Sequence, residues 1–181
     1  RTPEDICAYM NQYLPEDICV LSVEEAAPRF HARLNAVRKT YVYRIWNAPV
    51  RPVFERKYMT WIEQPLDVDA MRRAAELLCG THDYRAFCSL KKFKKSTVRM
   101  VEEVNIEHLG KEIRISYTGD GFLYHMVRIL TGTLVEVGEG ARKPEDMPTI
   151  LMSMDRANAG KLMPPEGLTL ECVEYEDNLK K

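Results

Sequence analysis

Leu123, Met126, Val127, Leu130, Leu134 and Val137 recur at the i, i+3, i+4, i+7 spacing of one helix face. The spacing predicts a helix there, stopped by Gly138 and Gly140, with an apolar face that needs a second layer to cover it. The preceding segments can supply that layer. Val101 to His108 and Glu112 to Thr118 read as extended, with Ile113, Ile115 and Tyr117 alternating and Leu109-Gly110-Lys111 as a hairpin turn. Tyr41, Val42, Tyr43, Ile45 and Trp46 predict a strand over 38–46. Ile18 to Val23 reads as another strand, and Leu168 to Tyr175 as a last one after the break at Pro164-Pro165. Residues 4–13, with Ile6, Met10 and Tyr13 at helical spacing, predict a short helix ending before Pro15. Asp67 suits the N-cap of a further helix, with Leu66 as its staple, Met71, Ala74, Ala75 and Leu78 on one face and Gly80 at its end. Pro144, Glu145 and Asp146 suit a first helical turn. Helices and strands alternate irregularly around at least one hairpin, so the expected class is α+β, a mainly antiparallel sheet with helices packed on one face.

With 181 residues, 45% of them apolar, the chain can bury a sizeable core. Nine Gly and ten Pro are ordinary usage, which excludes collagenous and low-complexity readings. No apolar run approaches the roughly 20 residues of a helical membrane span, and no membrane partner is expected. Nothing resembles a secretory signal. Five scattered cysteines, without a C-x-x-C pair, point to reduced thiols and a cytoplasmic setting. The chain opens on Arg1 and runs straight into a helical pattern, which suggests a piece of a longer polypeptide.

Net charge is −1, but its distribution is uneven. Residues 29–60 carry eight Lys/Arg against Glu55 alone, a local +7. Residues 84–100 carry Arg85, Lys91, Lys92, Lys94, Lys95 and Arg99 with no acid, a local +6, so the remainder sums to −14. Two such islands can present a positive face to a polyanion, or can be solvated loops and strand faces. Tyr41, Tyr43, Trp46, Tyr84, Phe87 and Phe93 interleave with them as candidate stacking surfaces for unpaired bases. Cys79, His82, Asp83 and Cys88 cluster within ten residues but lack the second ligand pair that structural zinc uses, so they read as a helix end and a capped turn. No G-x-S-x-G elbow and no phosphate-cradling glycine motif is present. The Gly119-Asp120-Gly121 turn either binds an anion at a helix start or lets a strand swing into a helix. Arg128 lies roughly 140° from the apolar stripe, counting about 100° per residue, in a segment apolar nearly all round. It must reach solvent or pair with a carboxylate, because burying it alone costs several kcal/mol.

Taken together, Phe30-His31-Ala32-Arg33, Arg38-Lys39-Thr40-Tyr41-Val42-Tyr43, His82-Asp83-Tyr84 and the block from Gly121 to Arg128 resemble the bacterial tRNA pseudouridine synthase A family. Thr131-Gly132-Thr133-Leu134, Val137-Gly138, Asp155-Arg156, Ala159-Gly160 and Gly167-Leu168-Thr169-Leu170 continue the resemblance over essentially the whole chain. It implies two similar α+β halves around a basic cleft, in a homodimer that isomerises uridine to pseudouridine in the anticodon stem-loop of tRNA without cofactor or metal. It also implies a nucleophilic aspartate in a G-R-T-D-x-G-V-H motif, which this sequence does not contain. Residues 1–27 would be the tail of the N-terminal half and 28–181 the C-terminal domain, inactive alone. By matching position, Tyr41 is the tyrosine that stacks on the target base and Arg128 the partner of the aspartate. Arg33, Lys91, Lys92, Lys94 and Lys95 are the expected phosphate contacts. Leu162-Met163-Pro164 departs from the family, which usually has small residues before that proline. The rival readings are a non-catalytic RNA-binding module that kept the fold, for which Tyr41→Phe would be neutral, and a Cys/His metal hydrolase, which would carry stoichiometric zinc.

Overall fold

The structure, a computed structural model, describes residues 1–176. They form two compact units, residues 1–36 with Glu174 onward, and Val37–Val173. In the first, Thr2 caps helix α1 (Pro3–Tyr13): its hydroxyl accepts from Asp5 N at 3.2 Å while the Asp5 carboxylate accepts from Thr2 N at 3.0 Å. The expected strand at Ile18–Val23 does not form. A strand needs a partner ladder, and here the Asn11 side-chain amide takes that place. It accepts from Val20 N and donates to Val20 O, both at 2.8 Å. Near the end of this unit Tyr175 donates to Ala32 O at 2.8 Å and meets the Phe30 ring edge-on.

The second unit is built on a sheet. Strands β1 (Ala36–Asn47), β2 (Thr60–Ile62), β3 (Gly80–Asp83), β4 (Val98–Leu109) and β5 (Glu112–Gly119) lie in the order β2-β1-β5-β4-β3, and β6 (Leu168–Tyr175) also pairs with β1. Only the short β1–β2 pairing is parallel among those with a defined register. Alternation sets the faces. Tyr43, Ile115 and Ile106 align across three strands on the buried face, as do Tyr117 and Val104. Arg44, Arg114 and Glu107 align on the other face, where Arg44 holds Glu112 at 2.7 Å. Gly110 turns the β4–β5 hairpin at φ 67°.

Helices α2 (Val68–Glu76), α3 (Met126–Gly138) and α4 (Met147–Ser153) join the buried face in one core. Asp67 caps α2 by accepting from Ala70 N at 2.9 Å. That helix ends earlier than Gly80, which instead opens β3. Tyr84 reaches back to the helix end and donates to Leu78 O at 2.6 Å. The stripe predicted from Leu123 is helical only from Met126, because His125 takes left-handed backbone (φ 64°), although Leu123 still packs on the core. Gly138 closes the helix from inside, and Gly140 (φ 74°) supplies the left-handed turn after it. The Gly119-Asp120-Gly121 turn does not open a helix. Asp120 closes onto Met100 through its backbone N–H and its carboxylate, both at 3.0 Å. Among the described residues, no helix is long and apolar enough to cross a membrane.

The path after α4 decides where the site lies. α3 runs against residues 160–163 with almost no gap. A Cβ on Gly132 would sit 1.8 Å from Lys161 O, and one on Gly160 would sit 2.6 Å from Thr133 Cα. Thr133 bridges the two backbones, accepting from Gly160 N and donating to Ile129 O, both at 2.9 Å. The segment then crosses above β1, where Tyr43 donates to Pro164 O at 2.7 Å. Gly167 follows, and a Cβ there would meet both Arg44 O and the Tyr43 ring at 2.8 Å. Backbone therefore touches backbone on both sides of residues 160–167.

Candidate active site

Tyr41 (β1) and Arg128 (first turn of α3) line one cavity of about 180 Å³, with Phe122 and His125 from the connection before α3 and Pro165 and Leu168 from the segment just described. Tyr41 is half-buried beside the core, and the edge of Phe122 meets its ring at 5.3 Å and 84°. Strand alternation puts Tyr41 on the same face as Tyr43 and Ile45, at the end of the row where the sheet meets the cavity.

Arg128 is also half-buried. Its Nε donates to Met163 O at 2.6 Å, and Met163 N returns a 3.3 Å bond to Arg128 O. The residue is thus clamped at both ends by Met163. Only one of its five donors is used this way. Among the described residues no carboxylate forms an ion pair with it. A cation in the first turn opposes the helix dipole, so this arginine adds nothing to the stability of α3. What the arrangement offers is a fixed guanidinium with donors able to grip an anionic group, and an aromatic ring on the same cavity.

Two groups near Arg128 are perturbed. Burial pushes the Tyr43 phenol up to about 12, against the Thr60 hydrogen bond that favours its ionised form. Partial desolvation, then the Arg128 charge, lower His125 below its usual value.

The other expected site residues fall elsewhere. Lys91, Lys92, Lys94 and Lys95 are exposed on the loop between the Arg85–Phe87 turn and β4. Of these, Lys91 lines a second hollow of about 350 Å³ with Arg85, Phe93 and Arg156, where the Arg85 guanidinium lies 5.4 Å from the Phe93 ring centre. Arg33 lies exposed on a turn of the first unit, its N–H donating to His31 Nδ1 at 3.1 Å. Three of the aromatics offered as stacking surfaces are corrected. Tyr43, Tyr84 and Phe87 are wholly buried, because strand and turn geometry aims them into the core. His82 and Asp83 end β3, and the Asp83 carboxylate accepts from Arg85 N at 2.9 Å, the capped turn expected there; no group of three metal-ligating side chains exists among the described residues. Sequence reasoning gave no role to Phe122, His125, Leu168 or the Met163 carbonyl. The first three flank or belong to the quoted motifs, so they could have been found there. A carbonyl carries no residue signature.

A ring and a clamped arginine with spare donors share one small cavity, an arrangement suited to an anionic ligand that carries a flat ring. The comparisons with known proteins are narrower. A family model described as tRNA pseudouridine synthase matches residues 74–176, a span that includes Arg128 and the lysine loop. The tRNA pseudouridine synthase A of Brevibacillus brevis is 46% identical over 166 residues, 92% of this chain and 68% of that protein. That of Moorella thermoacetica is 47% identical over 166 residues, with the same shares. That of Geobacillus kaustophilus is 44% identical over 168 residues, 93% of this chain and 65% of that protein. This chain belongs to the tRNA pseudouridine synthase family, a family of isomerases, and spans about two thirds of the length of these relatives.

Proposed function

We propose that this chain is the C-terminal part, residues 28–181 with the tail 1–27, of a cytoplasmic, homodimeric enzyme that isomerises uridine to pseudouridine in the anticodon arm of tRNA. The observation that carries the reading is Arg128, held through Nε by Met163 O and without an ion-pair partner among the described residues, on the cavity that Tyr41 lines. A carboxylate entering the cavity would be gripped by the remaining guanidinium donors, kept ionised and aimed at the sugar. In this reading the carboxylate is the aspartate of the family motif. It adds to the target nucleotide, the C–N glycosidic bond breaks, the uracil turns, and a C–C bond forms at C5 as the bond to the aspartate breaks and frees the carboxylate; the C5 proton passes to water. Tyr41 stacks on the flipped base, and its phenol joins proton transfer at the base. Arg33 and the Lys91–Lys95 loop hold phosphates and orient the RNA without reading its sequence. The 181-residue chain alone, lacking the aspartate motif, is inactive. It needs neither metal nor cofactor in this scheme.

The test is tritium release. The polypeptide that joins this chain to the aspartate motif is incubated with an unmodified tRNA transcript tritiated at uridine C5. Release of tritium to water is the expected result, with Arg128→Ala lowering its rate by about 100- to 1,000-fold, the scale set by losing one preorganised electrostatic partner. Tyr41→Phe should also nearly abolish it. Binding without release overturns the proposal in favour of a non-catalytic RNA-binding module. Release by the 181-residue chain alone overturns the assignment of the nucleophile.

A further inference from the structure

Tyr124 and His125 stack on one another with ring centres 3.7 Å apart and planes inclined by 26°. Neighbouring side chains in a helix or strand diverge, so this pairing depends on the left-handed backbone of His125 at φ 64°. A non-glycine residue there costs about 1 kcal/mol or more. The helix gains nothing in return, because His125 caps α3 without a side-chain hydrogen bond. The pair is tied down twice to one residue. His125 Nδ1 lies 3.0 Å from Ser89 Oγ, and Ser89 N donates to Tyr124 O at 3.3 Å. Ser89 stands at the entry to the lysine loop. His125 lines the cavity of Tyr41 and Arg128, while Tyr124 is 55% exposed. A preformed ring stack thus stands between the cavity and four lysines.

We propose that the Tyr124–His125 stack is a second base platform, which holds the nucleobase next to the target nucleotide in single-stranded RNA. The proposal rests on reading the cavity as the site of the target uridine. An exposed ring already stacked and tethered takes a base with little ordering cost. Stacking of this kind accepts any base, so the platform fixes the position of the strand and leaves its sequence unread. The loop after Ser89 supplies cations for the adjoining phosphates.

The experiment uses the 181-residue chain and an anticodon stem-loop RNA carrying 2-aminopurine at each loop position in turn. Stacking on an aromatic ring quenches this fluorophore. At least one loop position should be quenched on binding, Tyr124→Ala should abolish that quench and weaken affinity about 5- to 150-fold, and Tyr124→Phe should restore both. No quenching at any position overturns the platform. So does unaltered quenching in a Tyr124→Ala chain whose circular dichroism matches the parent. In the polypeptide with the aspartate motif, Tyr124→Ala should raise KM for tritium release with kcat nearly unchanged, and a loss confined to kcat overturns a binding role. If that polypeptide releases no tritium, the reading of the cavity fails, whereas quenching that depends on Tyr124 would still establish the platform.

Discussion

Tyr43 shows how much of the site rests on a residue outside it. Its hydroxyl lies 2.6 Å from Thr60 Oγ1 and donates to Pro164 O at 2.7 Å, so it pins the segment that carries Met163 over β1. Tyr43→Phe leaves the buried Thr60 hydroxyl and the part-buried Pro164 carbonyl short of a partner, and should cost about 1–3 kcal/mol in denaturant unfolding. Its pH signature has a definite sign. The folded phenol is pushed up to about 12 from an ordinary value of 10.0, so the native state holds the proton more tightly than the unfolded chain. The contribution is fully present below pH 10 and fades as pH rises toward 12. Tyr43→Phe should therefore flatten the alkaline loss of stability, and an unchanged alkaline limb would contradict the assignment. Sequence alone offered Tyr43 as a stacking surface, because its burial and its grip on Pro164 O depend on a fold that brings in a backbone atom far along the chain.

At the level of elements, legibility followed the strength of the local pattern. α3, the β4–β5 hairpin and α2 with its Asp67 cap were readable, because period and turn chemistry agree there. β3 was missed because Gly80-Thr81-His82-Asp83 has no apolar alternation and is strand only through pairing with β4. Residues 18–23 erred the other way, with β-forming side chains but the backbone N–H and C=O of Val20 engaged by Asn11. The most informative contact between elements is the α3 crossing at Gly132 and Gly160. Gly160→Ala would drive a Cβ to within 2.6–2.9 Å of the α3 backbone, which has no flexible end to move aside. Overpacking of this kind costs about 1–3 kcal/mol. The displaced segment carries Met163, so the clamp on Arg128 should loosen as well. Gly160→Ala is expected to lower Tm and, at temperatures where the protein remains folded, to reduce the rate of tritium release. A lower Tm with full activity would show that the clamp survives the shift.

For the molecule as a whole, net charge conceals what charge distribution reveals. At −1 overall, long-range attraction to RNA has no net charge to draw on, and binding must come from the islands. The lysine loop was legible as a charge run, and its exposure and lack of ion pairs among the described residues agree with that reading. Its junction with the cavity through Ser89 was not legible, because 36 residues separate Ser89 from His125 and only the fold brings them together. If the four lysines contact phosphates, each releases counterions from the RNA on binding. Each then contributes about 0.7 to 0.9 to the slope of log affinity against log salt. Replacing Lys91, Lys92, Lys94 and Lys95 by Ala should lower that slope by about 3 and weaken binding most at low salt. Arg73→Ala, an exposed change on α2 outside both islands, should leave the slope as it was. A titration of stem-loop RNA over a range of salt concentrations measures both variants against the parent. Equal slopes for the parent and the fourfold variant would remove the loop from the interface and leave the 29–60 island as the source of RNA affinity.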